Sequence, residues 1–552
     1  MIPASRRDQS LNSRGRSLLA ALTAAGVLAG HAGAAVPLTR AGQPVARVHV
    51  PAGLAESADL KPLAEAVQEL TNHLARMSGA VLEVVETADA AAIKGPAIVL
   101  GDLAVRLGAT PERTTESLEG FRLLTRGDRL LIGGQSPLAV RHGVYEALRR
   151  LGCDWVMPGE IGCIVPTRAD VQVPDLDESQ APDFLFRRLW YRGYPQPRKP
   201  GERDRMNQWL ARQKGGTWTH PASTAGGHAW PNLIRKHKAA FDADPTMLAL
   251  VRAPDGSLVR RGPQLEATHP KVAELYSADI RETYRKNIDA GKWTKDTPFG
   301  FPIGPADGLG YSLSSEAMTA SAGRIDPIVG ELDRTDELVL LGNRILEDVT
   351  RDYPNAMVGF YSYSVHSDYP ARYQPHPNLV QIFAPINFSR FHSVLDPNSK
   401  SQAYYRDVVR QWAKLSREQG NPLIYRGYNW NLADNMLPFT KVRIWGEELP
   451  FYKENHVLGM NVEATKSWSI LAPSDYVFMR LAWDSSQDWR ALLKTFCDHA
   501  YGAGAAAMLR YHQRVIDTQH GAGQEAGSYH AFNLIYDAAW VDAARRDIAE
   551  AR

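Results

Sequence analysis

The chain holds only three cysteines, Cys153, Cys163 and Cys497, too few for a disulfide-built scaffold. No Cys/His spacing resembles a zinc site, so no metal is expected. Neither sign of charge dominates: 63 Lys and Arg stand against 61 Asp and Glu. That balance gives no electrostatic basis for nucleic acid or an anionic membrane as partner. Long apolar runs are also missing. The one clear run lies near the N-terminus and is too short to span a bilayer. No solenoid-type repeat occurs, and no cofactor is expected. Cys153 and Cys163 flank a turn-rich Pro-Gly-Glu-Ile-Gly segment, which leaves both a disulfide and two free thiols open. What remains is a globular chain rich in Trp, Tyr and Phe. Such rings serve equally as platforms for sugars and as filling for a large barrel core.

The N-terminal run is a targeting signal rather than a fold element. Arg14 and Arg16 precede an apolar stretch, Ser17 to Gly30, followed by the small-residue site Ala32-Gly33-Ala34. This is the pattern of a cleaved secretory signal. Residues 1–34 are expected to be removed, leaving Ala35 first, in the periplasm or outside the cell.

Residues 35–178 read as a small α/β domain. A strand at Arg47 to Val50 precedes a helical stripe, Leu60, Leu63, Val67, Leu70, Leu74 and Met77, stopped by Gly79. Short strands at Val81 to Val85 and Ala97 to Leu100 follow. The segment Gly120 to Pro166 then reads as a hairpin around Arg126-Gly127-Asp128, a helix opened by Ser136-Pro137 and ended at Gly152, and a short strand. Helices on one side of a mixed sheet is the economical arrangement. Residues 167–182 are polar, contain two prolines and form a linker. From 183 to 470 strand-like runs alternate with helical patterns: Phe184 to Trp190, Pro298 to Ile303, Ala356 to Tyr363, Leu379 to Ala384, Leu423 to Tyr428 and Val457 to Val462. The alternation predicts a (β/α)8 TIM-like barrel. Residues 471–552 are helical in pattern.

In such a barrel reactive groups occupy the C-terminal strand ends. Those ends carry many polar and aromatic residues and few acids. Glycoside hydrolysis needs a pair of carboxyls, and the two acids closest to strand ends are Asp307 and Glu463. Asp307 also fits a turn, being followed by Gly308, and Glu463 also fits a helix N-terminus. They are the expected catalytic pair. Trp468, close behind Glu463, is expected to wall it from water. His228, Trp230, Tyr363, His366, Asn387, Arg426, Asn429, Trp430 and Trp468 are the expected substrate-binding residues, on one pocket at that barrel face.

The order of pieces in Gly120 to Pro166 resembles the domain that precedes the barrel in α-glucuronidases and β-N-acetylhexosaminidases. Further motifs stand in order along nearly the whole mature chain: GHAWPNLI (227–234), PADG (305–308), LGNRILEDVTRDYPNAMVGFYSYS (341–364), APINFSRF (384–391), GYNWN (427–431), GMNVEATKSW (459–468) and FCDHAYGAGAAAMLRY (496–511). On these the chain resembles a bacterial family known as DUF4838, distantly similar to α-glucuronidases. The resemblance implies a secreted glycoside hydrolase acting on a polysaccharide or oligosaccharide, uronate-bearing where Arg426 would meet a carboxylate. It also has departures. Asn387 stands at a strand end where α-glucuronidases place an aspartate, and no acid falls near Arg426 to Asn429. The Asp-Glu dyad of hexosaminidases is absent. These gaps keep two other readings open: a non-catalytic carbohydrate binder on a degenerate hydrolase scaffold, and a lyase-like enzyme using Tyr and His with Arg on the uronate.

Overall fold

The structure is a computed structural model, and it describes residues 35–191, 200–215, 220–430, 437–525 and 535–552. The expected signal, residues 1–34, lies outside them, as do Trp218, Thr219 and Asn431.

The first layer is a mixed sheet of six strands: β1 (Arg47–Pro51), β2 (Val84–Thr87), β3 (Ala97–Leu100), β4 (Phe121–Arg126), β5 (Arg129–Gly134) and β6 (Asp177–Gln180), in spatial order β6-β4-β5-β3-β1-β2. Helix α1 (Lys61–Ser78) ends on Gly79 in the left-handed region at φ 80°, where a residue without Cβ is favoured. Helix α3 (Pro137–Arg150) opens on Ser136, whose hydroxyl accepts from the Ala139 amide. Both helices cover one face. The short α2 (Asp102–Arg106) covers the other, where Ala97, Val99, Leu103, Leu124 and Leu131 form a separate core. Helices therefore lie on both faces rather than one. This is why β3 reads as an unbroken apolar run: Ile98 and Leu100 serve one core, Ala97 and Val99 the other.

The second layer is a curled, wholly parallel sheet. Its strands are β7 (Phe186–Tyr191), β10 (Phe299–Pro302), β11 (Ala356–Ser362), β12 (Leu379–Phe383), β13 (Leu423–Tyr428) and β14 (Val457–Ala464), in the order β7-β14-β13-β12-β11-β10. A hairpin, β8 (Leu248–Arg252) with β9 (Leu258–Leu265), is inserted before β10. The expected (β/α)8 barrel is thus met in part. Among the described residues six parallel strands are present, and β7 and β10 are not hydrogen-bonded to each other. A 3-10 turn, Pro221–Ala225, packs against β10 and β11 beside that gap, and His228 makes a single parallel bridge with Gly304.

Phe186, Ala222, Ala225, Met357, Val380, Ile382 and Ile424 fill the concave face at its lower end. This apolar floor demands small neighbours. A Cβ on Gly459 would stand 2.2 Å from the Phe186 ring. Helices from Trp468 onward, among them Trp468–Trp483, Trp489–Tyr501, Ala505–His520 and Ala538–Ala551, complete the structure. No helix among the described residues is long and apolar enough to cross a membrane. The three cysteines are free thiols.

The two layers are tied by buried charge. Arg187 on β7 reaches Glu119 at 2.5 Å and donates to the Lys214 carbonyl at 2.9 Å. Glu119 also meets His142. Burial alone would raise the Glu119 carboxyl, but Arg187 and His142 outweigh it and hold it at about 2. Lys214 pairs with Glu146 at 2.7 Å, and burial brings its ammonium down to about 7 despite that partner.

Candidate functional site

In a parallel sheet, residues aligned across neighbouring strands point to the same face. The register pairs Trp190 with Glu463, and Glu463 with Tyr428. Two residues earlier it pairs Arg188 with Asn461, and Asn461 with Arg426. Two earlier again come Phe186, Gly459 and Ile424, whose Phe and Ile belong to the apolar floor. So the sequence alternation stacks a polar layer above an apolar one, at the C-terminal end of the strands.

Arg426 organises this layer. It donates to Glu463 Oε2 at 2.6 Å, and the Glu463 side chain is only 2% exposed. The Arg426 guanidinium also lies 4.5 Å from the ring centre of Tyr428, 5.5 Å from Trp190 and 5.7 Å from Tyr361. Arg390 lies over Tyr428 at 4.7 Å, so that phenol ring contacts two cations. Burial opposes the charge on Arg426, but Tyr428 and Glu463 beside it strengthen its hold on its proton.

Asp307 forms the opposite side. It follows β10, is exposed, and accepts from the Tyr363 hydroxyl at 3.1 Å. Burial and then the Asp307 charge push the Tyr363 phenol upward, so it is a donor. His228 meets the Pro305 carbonyl through Nδ1 at 2.8 Å. A carbonyl only accepts, so Nδ1 carries the proton and Nε2 is left to the site. The His228 ring packs edge-on against Tyr361 and Tyr363, both at 5.8 Å. His366 is buried, and burial lowers its imidazole to about 4; its Nδ1 donates to the Tyr361 carbonyl at 2.7 Å. It backs Tyr363 rather than facing solvent.

The loop bearing Asp307 is held from the inserted hairpin. Gln264 on β9, buried, donates to the Ala306 carbonyl at 3.0 Å and to the Gly308 carbonyl at 3.3 Å, and its oxygen accepts from the Ala306 amide at 3.0 Å. Glu266, just past β9, accepts from Ser312 at 2.6 Å.

The expected residues divide. Asp307, Tyr363, His228 and Arg426 join, through ring and charge contacts that include Tyr361, to Glu463. Trp430 lies beside them, in the cluster of Phe391 and Tyr428, and Asn387 follows Ile386, which packs on that cluster. The Asn387 amide nitrogen and the Trp430 indole nitrogen are buried and have no partner among the described residues. Three expectations need correction, the first being His366, which is buried and bonded to the Tyr361 carbonyl behind the site. Trp230 is buried, donating to the Ile303 carbonyl at 2.7 Å; it is core. Asn429 is wholly buried, its amide spent on Asp475 and on the Trp445 indole, because it has the opposite strand parity to Tyr428. Trp468 is partly buried, packed on Tyr191 at 5.1 Å and Trp209 at 6.2 Å. Trp190, Tyr361 and Tyr428 were not among the expected residues, yet they line Arg426, and Arg390, also not expected, lies over Tyr428. The signal for the three aromatic residues was strand parity with Arg426 and Glu463. Among the described residues no group of three His, Cys, Asp or Glu side chains is placed to hold a metal ion.

The model of DUF4838, a domain of unknown function, matches residues 157–514. No curated protein matches the chain. Among solved structures, a family GH115 4-O-methyl-α-glucuronidase with specificity for decorated arabinogalactans is similar with TM-score 0.48 and 16% identity, over 87% of this chain and 62% of that one. A family 89 glycoside hydrolase from Clostridium perfringens gives TM-score 0.47 and 10% identity, over 90% of this chain and 59% of that one. A GH20 β-N-acetylhexosaminidase from Streptomyces coelicolor A3(2) gives 0.41 and 14%, over 91% and 95%. The chain therefore spans less than two thirds of the first two.

Proposed function

The chain belongs to the DUF4838 family, a domain of unknown function, and from that premise we propose that it is an exported glycoside hydrolase acting on a uronate-bearing polysaccharide or oligosaccharide. The observation that carries this is the placement of the two acids. Asp307 follows β10 and Glu463 lies on β14, four strands apart across one concave face, with aromatic rings and Arg426 between them. A pair of carboxyls flanking a sugar is what glycosidic cleavage requires: one protonates the leaving oxygen, the other serves the opposite face. Arg426 beside Tyr361, Tyr428 and Trp190 suits a sugar carboxylate and ring faces. The unpartnered nitrogens of Asn387 and Trp430 and the free His228 Nε2 would meet hydroxyls. Export follows from the signal pattern in residues 1–34.

The second reading is a carbohydrate binder without catalysis. It is favoured by Glu463 being committed to an ion pair with Arg426 and by Asn387 standing where an acid is expected. One experiment separates them. New reducing ends are measured across a glycan panel for the wild type and Asp307→Ala. Cleavage lost in the variant supports the hydrolase. Tight binding with no cleavage of any glycan decides for the binder, and a rise at 235 nm in place of hydrolysis identifies a lyase. Export is checked by mass spectrometry of the secreted protein, with Ala35 expected as first residue and retention of residues 2–30 excluding it.

A further inference from the structure

A second cavity lies on the far side of the wall that carries Asp307. Its volume is about 560 Å³, within the roughly 300–1,000 Å³ usual for ligand sites. The hairpin supplies Val251, Arg252, Arg261 and Pro263, and the loop after Asp307 supplies Leu309, Tyr311 and Leu313. The same stretch, Pro305 to Ser312, thus carries the acid at one end and a cavity wall at the other. Two peptide units separate Asp307 from Leu309, about 7 Å at full extension. The ring of Tyr311 meets His366 at 6.0 Å, and His366 backs Tyr363, so the two spaces share one aromatic partition.

The chemistry of the lining is specific. Arg252 and Arg261 are exposed. Arg252 gives one nitrogen to the Gly256 carbonyl, and among the described residues neither guanidinium is ion-paired to a carboxylate. Arg334 is committed to Glu337 at 2.6 Å. Glu331 is the one acid of the lining. Leu309 is 60% exposed and Leu313 40%, an unusual cost for apolar side chains at a cavity mouth unless something covers them. Cations beside apolar and aromatic faces match an acidic sugar, whose carboxylate takes the fork of an arginine and whose C–H faces take the rings.

We infer that this cavity is a subsite for a uronate-bearing stretch of glycan adjoining the sugar at Asp307, with Arg252 and Arg261 receiving the carboxylate and Tyr311, Leu309 and Leu313 receiving the ring. The inference rests on the carbohydrate reading of the neighbouring site, and adds an acidic arm to it.

The test is calorimetric titration of the full mature chain with uronate hexamers from galacturonan, glucuronan and alginate, each beside its carboxyl-reduced form. At least one acidic hexamer should bind roughly tenfold or more tightly than its reduced form, as a charged hydrogen bond implies. Arg252→Ala/Arg261→Ala should remove that preference and leave the reduced form's affinity unchanged, and Asp307→Asn should retain it. Arg252→Gln/Arg261→Gln, which keeps the side-chain bulk, serves if the alanine pair unfolds. The inference is overturned if no acidic hexamer is preferred, or if the arginine pair variants bind as wild type does. Loss of the preference in those variants, in a protein that cleaves nothing, would keep the subsite and reject the hydrolase. Cleavage of a glycan without any acidic preference would do the reverse.

Discussion

Gln264 grips Ala306 by both halves of its peptide: the Gln264 amide donates to the Ala306 carbonyl at 3.0 Å and accepts from the Ala306 N–H at 3.0 Å. A strand of the inserted hairpin thereby sets the backbone one residue before Asp307. Gln264→Ala should leave a buried N–H and two carbonyls short of partners, costing about 2 kcal/mol of stability. Turnover should fall as the acid loses its fixed position. Urea unfolding and glycan cleavage measure the two; wild-type values in both would remove Gln264 from this role.

The two acids should fail differently from their neighbours. Glu463→Gln and Asp307→Asn should each keep glycan affinity while turnover falls by at least about two orders of magnitude, the usual worth of acid–base assistance. Arg426→Ala should instead destabilise the fold, by roughly 3–5 kcal/mol, since it strands a buried carboxylate. A Glu463→Gln variant with wild-type turnover would reject its assignment and leave Asp307 to be explained alone.

Asp475 offers a pH test. It accepts from the Tyr191 hydroxyl at 3.0 Å and from Asn429, and burial raises its carboxyl from 3.8 to about 7. A raised acid stabilises the fold while protonated. Its contribution is full below the unfolded value near 4 and is lost as pH climbs through 7. Asp475→Asn should therefore flatten the fall in stability between about pH 4 and pH 8, by up to roughly 4 kcal/mol. Denaturant midpoints at pH 5 and pH 8 check it, and an unchanged slope would contradict it.

The apolar floor gives a packing test. Because a Cβ at 459 would meet the Phe186 ring at 2.2 Å, Gly459→Ala should cost about 1–3 kcal/mol by overpacking. Phe186→Leu in the same chain should recover part of it. Melting temperatures of the single and double variants decide, and additive losses would be the contrary result.

Much of the parallel sheet was legible because its strands are buried on both faces and read as apolar runs. Leu423 to Tyr428 is found at its expected bounds, and Ala356 to Tyr363 ends one residue sooner, at Ser362. The hairpin Leu248–Leu265 was not legible. Its second strand mixes Arg260 and Arg261 with an internal Pro263, since much of it faces solvent. The helix Trp468–Trp483 begins three residues before the stretch read as helical and carries Pro473 inside it, a residue that usually ends helices. In the site, residue type misled where parity would have corrected it. Tyr428 and Asn429 are adjacent and both polar, but only Tyr428 shares the face of Arg426. Trp230 was chosen as an aromatic platform, and its burial in the core could be seen only once the fold was assembled.

The buried pairs Arg187–Glu119 and Lys214–Glu146 bear on how this protein can be taken apart. By its sequence the chain invites division before residue 183, but residues 167–182, read there as a linker, hold the strands Val171–Val173 and β6 (Asp177–Gln180) of the first layer. A piece beginning at residue 183 would carry Arg187 and Lys214 into its interior without their carboxylates, each loss worth roughly 3–5 kcal/mol, comparable to the whole margin that keeps a domain folded. The first layer is therefore no portable attachment: its carboxylates neutralise cations buried in the barrel-like half.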